Sequence, residues 1–406
     1  MSSQRYAWLV VALLWVVACL NYLDRQVIFS VFPLLRAEMR LDDFQLGLLS
    51  TVFLWVYGLA SPFGGYLADR AGRRKVLILS LAIWTTITLL TGYVRNFQEL
   101  LIARGLMGLS EACYLPAALA LISDLHGKST RSRATGIHQS GLYAGIAFGG
   151  AIGGWMGERH GWRSPFIVLG IVGVVYSIVL AKGLRGDSDG ARAPATPVMA
   201  AFGEVVRLPG FAGMLAAFTG FGVANWVVYT WLPLYIFERF RVSLTSAGFS
   251  ATFYLQVASF AGILAGGWEA DRWSRTTVKG RVLTQALGLA AASPFLFLVG
   301  AAGSIPILVA ALIAFGIGKG FFDANTMPVL AQVARPELRA TGYGIFNLAA
   351  CVVGGAMAAA AGALKPAIGL SGAIQVSAVM LFASAMALLL VGRVLARAAA
   401  TAMPTE

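Results

Sequence analysis

The sequence predicts an all-α polytopic membrane protein of twelve transmembrane helices in two pseudo-symmetric six-helix halves, and three observations carry that prediction. Hydrophobic residues make up 58% of the 406 and charged residues only 12%, and the mean hydropathy is +0.76, which excludes an ordinary soluble domain. The apolar residues gather in segments long enough to cross a hydrocarbon core of about 30 Å, which takes roughly 20 residues as a helix. The second part of the chain also echoes the first: ADR at 68–70 returns at 270–272, and RATG at 133–136 returns at 339–342.

Read in order, the spans fall at 7–33, 44–67, 75–95, 97–124, 134–157 and 164–183 in the first half. In the second half they fall at 209–236, 245–268, 281–300, 304–333, 340–363 and 369–392. The first span holds Asp24 and Arg25 and has no small-residue cleavage site behind a short apolar core, so it reads as a retained helix rather than a signal peptide. The polar stretch carrying RGDSDGARAPATP is the linker, which divides the chain into a first half at 1–183, a cytoplasmic linker at 184–208 and a second half at 209–406 with a short cytoplasmic tail.

The net charge of +13 is explained by its distribution. Twenty Lys and Arg lie at one set of alternate loops and eight at the other, which places both termini in the cytoplasm and calls for no nucleic-acid partner. The remaining three, Arg25, Arg104 and Lys319, lie inside spans. Cys19, Cys113 and Cys351 also fall within spans, so no disulfide framework is implied. No metal-ligand or nucleophile motif and no G-x-x-x-x-G-K-[ST] loop occurs, so neither an enzyme, a metal, a cofactor nor ATP-driven pumping is expected.

Charges inside spans mark the candidate site, because each costs about 2.5 to 3.5 kcal/mol at the bilayer centre on insertion scales. In RGLMGLSEACYLP, at 104–116, Arg104 and Glu111 stand seven positions apart on one helical face, separated by roughly 10 Å, too far to pair with each other. Partners are expected from the first span, at Asn21, Tyr22, Asp24 and Arg25. Such pairs either lock two helices together or build a functional centre. The fifth span has Gly141, Gly145, Gly149, Gly153 and Gly157 in one stripe for close packing, with His138 and Gln139 as cavity candidates. In the seventh, Asn225 and Tyr229 share a face; in the tenth, Lys319 and Asp323 do. The latter pair either neutralises itself or offers an ammonium to an anion. Aligning Pro116 with Pro328 sets Asp323 opposite Glu111, and Asn325 and Asn347 are further polar candidates.

The loop GGYLADRAGRR resembles the G-x-L-A-D-R-x-G-R-R loop of the major facilitator superfamily, and the resemblance extends over essentially the whole chain. It implies the major facilitator fold and a secondary transporter working by alternating access. It also implies a conformational latch at Gly65, Asp69, Arg70, Gly72 and Arg73, echoed by Asp271 and Arg272. YLDR at 22–25 and RGLMGLSEA resemble both the anion:cation (sugar-acid/proton) symporters and the Spinster-like branch. In both branches the first-span Asp and fourth-span Glu are similar to proton-coupling sites, which implies that role for Asp24 and Glu111 and, by the alignment of the halves, for Asp323. Arg25 and Arg104 then resemble partners of a substrate or carboxylate. Gly150 stands where antiporters of the superfamily carry a proline, which favours symport or uniport.

The expectation is a proton-coupled symporter of a small organic anion, a sugar acid or other carboxylate, acting as a monomer among membrane lipid in a bacterial inner membrane. The rival is a Spinster-like carrier of lysolipid, in which Phe321 and Phe322 line a wide apolar cavity.

Overall fold

The computed structural model describes residues 3–127, 129–185 and 198–401; the surroundings of Gly65 and of the Asp69 side chain, two of the latch positions, and linker residues 186–197 lie outside it. The described chain is helical: α1 (Ser3–Ser30), α2 (Phe32–Met39), α3 (Asp43–Ala71), α4 (Arg73–Thr91), α5 (Phe97–Glu111), α6 (Tyr114–Leu125) and α7 (Arg131–His160) come first. They are followed by α8 (Arg163–Gly183), α9 (Val198–Val205), α10 (Phe211–Phe240), α11 (Leu244–Ser274), α12 (Gly280–Ala301), α13 (Ile305–Val333) and α14 (Pro336–Thr401).

Local sequence sets many of the ends. Asp42 and Gln45 close a reciprocal capping box at the start of α3, and the Asn96 side chain accepts from the Glu99 amide at 2.9 Å to start α5. Gly72, at φ 95°, makes the turn between α3 and α4. Among the described residues ten helices are long and apolar enough to cross a membrane. Two adjustments reach the twelve spans of the superfamily. The glycine-rich α7 is too polar to register by hydropathy yet runs 30 residues, and α14 is two spans joined through Gly369, whose φ is 67°. The fourth span, expected at 97–124, runs from Phe97 to Leu125 with a local irregularity at Ala112 and Cys113, whose backbone stays right-handed. Pro116 has no N–H to offer the Ala112 carbonyl and its ring crowds it, so α5 ends at Glu111 and α6 follows from Tyr114.

The chain packs as two compact units. The first comprises Met1–Arg192 with Tyr229–Phe253 and Ala358–Ala363. In it the glycine stripe of α7 lies on α1: a methyl at Gly141 would stand 2.7 Å from the Trp15 carbonyl oxygen, and one at Gly153 would stand 3.0 Å from Val27. The opposite face of α7 meets 244–252 of α11, where Thr252 Oγ1 donates to the Ala147 carbonyl at 2.9 Å. Gly150 is bare because Gly248 and Thr252 fill the space its side chain would take. Trp84, Tyr114, Leu77, Leu81, Leu14 and Val17 centre the apolar core.

The second unit comprises Ala193–Val228, Tyr254–Met357 and Leu364–Glu406. Here α13 is held closely on two sides. A methyl at Gly316 would meet the Leu255 carbonyl of α11 at 2.7 Å, and Gly318 lies against Gly288 of α12. Rings of α10, α13 and α14 pack together: Phe221 on Phe322 at 4.3 Å between centroids, Phe218 on Phe346 at 5.5 Å and Phe211 on Phe346 at 5.0 Å.

Candidate substrate and coupling site

Four ionisable side chains are buried together in the first unit: Asp24 and Arg25 from α1, Arg104 and Glu111 from α5. Arg25 Nε donates to Glu111 Oε2 at 2.6 Å, so the expected pairing between the first and fourth spans forms. The Arg25 guanidinium also lies over three rings, Tyr57 at 4.4 Å, Tyr22 at 4.6 Å and Phe53 at 5.0 Å. Asn21 adjoins Glu111, whose Oε1 has no hydrogen bond. Glu111 is the last residue of α5, directly before the irregularity that Pro116 imposes. Its surroundings are fixed from two sides: Ser80 Oγ of α4 donates to the Ser110 carbonyl at 2.6 Å, and a methyl at Gly64 of α3 would meet the Ala112 carbonyl oxygen at 2.6 Å.

Arg104 does not pair with Asp24. Its Nε donates to the Leu49 carbonyl at 3.2 Å, its Nη1 to the Met107 sulfur at 3.3 Å, and its carbon centre lies 4.5 Å above the Phe53 ring. Its Nη2 is buried with no hydrogen-bond partner. Asp24 accepts from Thr88 Oγ1 at 3.2 Å, has Trp84 beside it, and leaves Oδ1 without a partner. With all four ionised the cluster is neutral, yet one cation and both carboxylates keep unused hydrogen-bonding atoms. In a low-dielectric interior such atoms are costly, roughly 1–3 kcal/mol each and more for charged groups.

The other predicted residues divide between several places. His138 is fully buried, with Nε2 2.8 Å from Tyr114 Oη, which lies equally close to the Leu14 carbonyl; it ties α6 and α7 to α1 apart from the charged cluster. Gln139 is half-buried, with a buried Oε1 lacking a partner. The Tyr229 carbonyl accepts from Gln26 Nε2 at 3.4 Å within the first unit, while Asn225 is half-buried in the second. Asn325 donates to the Gly266 and Phe321 carbonyls at 3.2 and 3.0 Å, a tether between α13 and α11, and Asn347 accepts from Cys351 Sγ at 3.9 Å. Lys319 Nζ bonds Asp323 Oδ2 at 2.5 Å within α13. Phe322 is packed into the ring cluster of the second unit, where the void beside it measures about 10 Å³.

At the latch, Arg73 pairs with Asp124 of α6 and donates to the Ala120 carbonyl at 3.1 Å. Arg70 donates to Tyr66 Oη at 2.9 Å, and Arg74, absent from the predicted set, caps α8 through the Leu184 and Ala181 carbonyls at 2.8 and 2.9 Å. In the second-half echo Asp271 accepts from Arg281 at 2.6 Å, and Arg272 lies over the Trp268 ring. Sequence reasoning missed Thr88, Phe53 and Tyr57, because a threonine or an aromatic pair four apart on an apolar helix looks the same when it only packs.

Helices long and apolar enough to cross a membrane, with charged side chains buried among them, are the pattern of an integral membrane protein. The chain belongs to the Major Facilitator Superfamily, whose pattern matches residues 14–359. It is similar to the D-galactonate transporter of Escherichia coli O6:H1 (strain CFT073), 26% identical with 97% of both chains covered. It is also similar to protein spinster homolog 1 of Xenopus laevis, 26% identical over 84% of this chain and 69% of that one. Among solved structures, a bacterial homologue of the human lysosomal transporter Spinster, crystallised inward-facing and unoccupied, superimposes with a TM-score of 0.84. That match has 20% identity and covers 97% of this chain and 98% of the other.

Proposed function

We propose that this transporter carries a small organic anion of the sugar-acid class in symport with protons. The observation that carries the reading is Arg104, a guanidinium buried at 1% exposure with Nη2 unsatisfied and no carboxylate hydrogen-bonded to it. A substrate carboxylate supplies the missing acceptor, and a planar guanidinium suits it. The likeness to a D-galactonate transporter supports the same class of substrate.

Proton coupling follows from charge. An anion entering a neutral cluster leaves one uncompensated negative charge in a medium where such a charge is costly, and a proton on Asp24 or Glu111 removes it. Glu111 is the better placed of the two, because a substrate carboxylate competing for Arg25 weakens the bond that keeps Glu111 ionised. A monoanion carried with one proton moves no net charge, and about 1.4 kcal/mol per pH unit drives it. The chain then works in a bacterial inner membrane with both termini in the cytoplasm.

Binding of D-galactonate to the purified protein tests the anion site. Arg104→Ala should weaken it by about tenfold or more, the loss of one charge-assisted hydrogen bond, and Arg104→Lys should recover part of it. Undiminished binding by Arg104→Ala would remove the arginine from the site.

A further inference from the structure

We propose that Lys319 and Asp323 form a second carboxylate-binding position, in the second unit, where an incoming substrate carboxylate takes the ammonium from Asp323. The proposal rests on the anion-transport reading above and adds a site to it.

The pair is poorly explained as a structural strut. A buried ion pair gains little over apolar side chains of the same size, and charges inside a membrane span are rare without a task. The order along the helix is also the less favourable one, since an acid placed N-terminal to its base at this spacing stabilises a helix better than the reverse found here. The two partners differ in access. The Lys319 side chain is 5% exposed and the Asp323 side chain 22%, so the cation is enclosed while its carboxylate has an open flank. Lys319 is held in place by the glycines on either side of it, Gly318 against α12 and Gly320 against α11, and its Nζ lies 5.9 Å from the centre of the Phe221 ring. That apolar backing strengthens whatever anion bonds the ammonium.

The position in the chain points the same way. Glu111 precedes Pro116 by five residues and Asp323 precedes Pro328 by five, so each carboxylate stands directly before an alanine, Ala112 or Ala324, whose carbonyl a proline has deprived of its helical bond. Each half therefore carries a carboxylate at a weakened point of a helix with a cation bonded to it. In the first half that cation comes from another span, and in the second from the same one.

The test is titration of the full-length protein in detergent with D-galactonate and, as a control, the corresponding neutral sugar alcohol. The variants are Lys319→Met, Asp323→Asn and the double variant Lys319→Met/Asp323→Asn, which removes both charges together and leaves no unpaired ion to unfold the helix. Galactonate affinity should fall about tenfold in the double variant and in Lys319→Met, and rise severalfold in Asp323→Asn, where the ammonium has lost its internal competitor. Wild-type affinity in the double variant would overturn the proposal and leave the Arg104 reading standing. Failure of the wild-type protein to bind galactonate in preference to the neutral compound would overturn both.

Discussion

Arg25 and Glu111 are the residues whose separation should be felt most. Replacing Arg25 by alanine leaves Glu111 buried without its cation and removes the group that three rings enclose. Breaking one side of a buried pair costs about 3–5 kcal/mol, so Arg25→Ala should lower thermal stability in detergent sharply, and Arg25→Ala/Glu111→Gln should recover much of the loss. Equal melting of wild type and Arg25→Ala would mean that the pair contributes nothing to the fold. These residues were legible in the sequence because a charge in an apolar run is conspicuous and expensive. The pattern of pairing was only half legible. That Arg25 takes Glu111 followed from the need for a partner on another span, but that Arg104 would settle on the Leu49 carbonyl and the Phe53 ring depends on side-chain reach that spacing does not encode.

Helices set these positions through close approaches that tolerate little change. Gly64 faces the fourth span so closely that Gly64→Ala should destabilise the protein by about 1–3 kcal/mol through overpacking. Gly136→Ala in α7, where a methyl meets nothing within 4 Å, should be neutral or stabilise slightly. Comparison of the two melting temperatures checks the contrast. At the end of α2, hydrogen bonding from Arg163, aided by Trp162, holds the Glu38 carboxyl below its usual range. A depressed carboxyl stabilises the fold above its unfolded value, about 4.3 for a glutamate, and that contribution is lost as the pH falls through the lower, folded value. Wild type and Glu38→Gln should therefore differ in melting temperature at neutral pH and converge in acid; a gap that widens in acid would reverse the sign.

At this scale the sequence located every span but not its irregularities. The stripe of α7 came from glycine spacing within the expected span at 134–157, and it does lie on α1. The irregularity after Glu111 was missed because its cause, Pro116, acts four residues upstream on a carbonyl, while the apolar run continues without a mark. The short α2, Phe32–Met39, lies mostly beyond the first expected span at 7–33 and was not anticipated.

Over the whole chain, the echo of ADR and RATG and the uneven distribution of Lys and Arg made the superfamily architecture readable in the sequence. The same distribution predicts sidedness: a membrane-impermeant thiol reagent should reach Arg272→Cys only from the cytoplasmic side and Arg241→Cys only from the outer side, and labelling from the opposite sides would invert the topology. Legibility ended at contacts between distant segments. Nothing in the pattern announced that 229–253 and 358–363 pack with the first six spans, because such contacts depend on fit between surfaces far apart in sequence. The most direct measurement is accumulation of D-galactonate by proteoliposomes under an imposed inward proton gradient, comparing wild type with Glu111→Gln. Proton symport through the buried cluster predicts gradient-driven accumulation in the wild type and, in Glu111→Gln, exchange across the membrane without accumulation. Accumulation by Glu111→Gln equal to that of the wild type would contradict it.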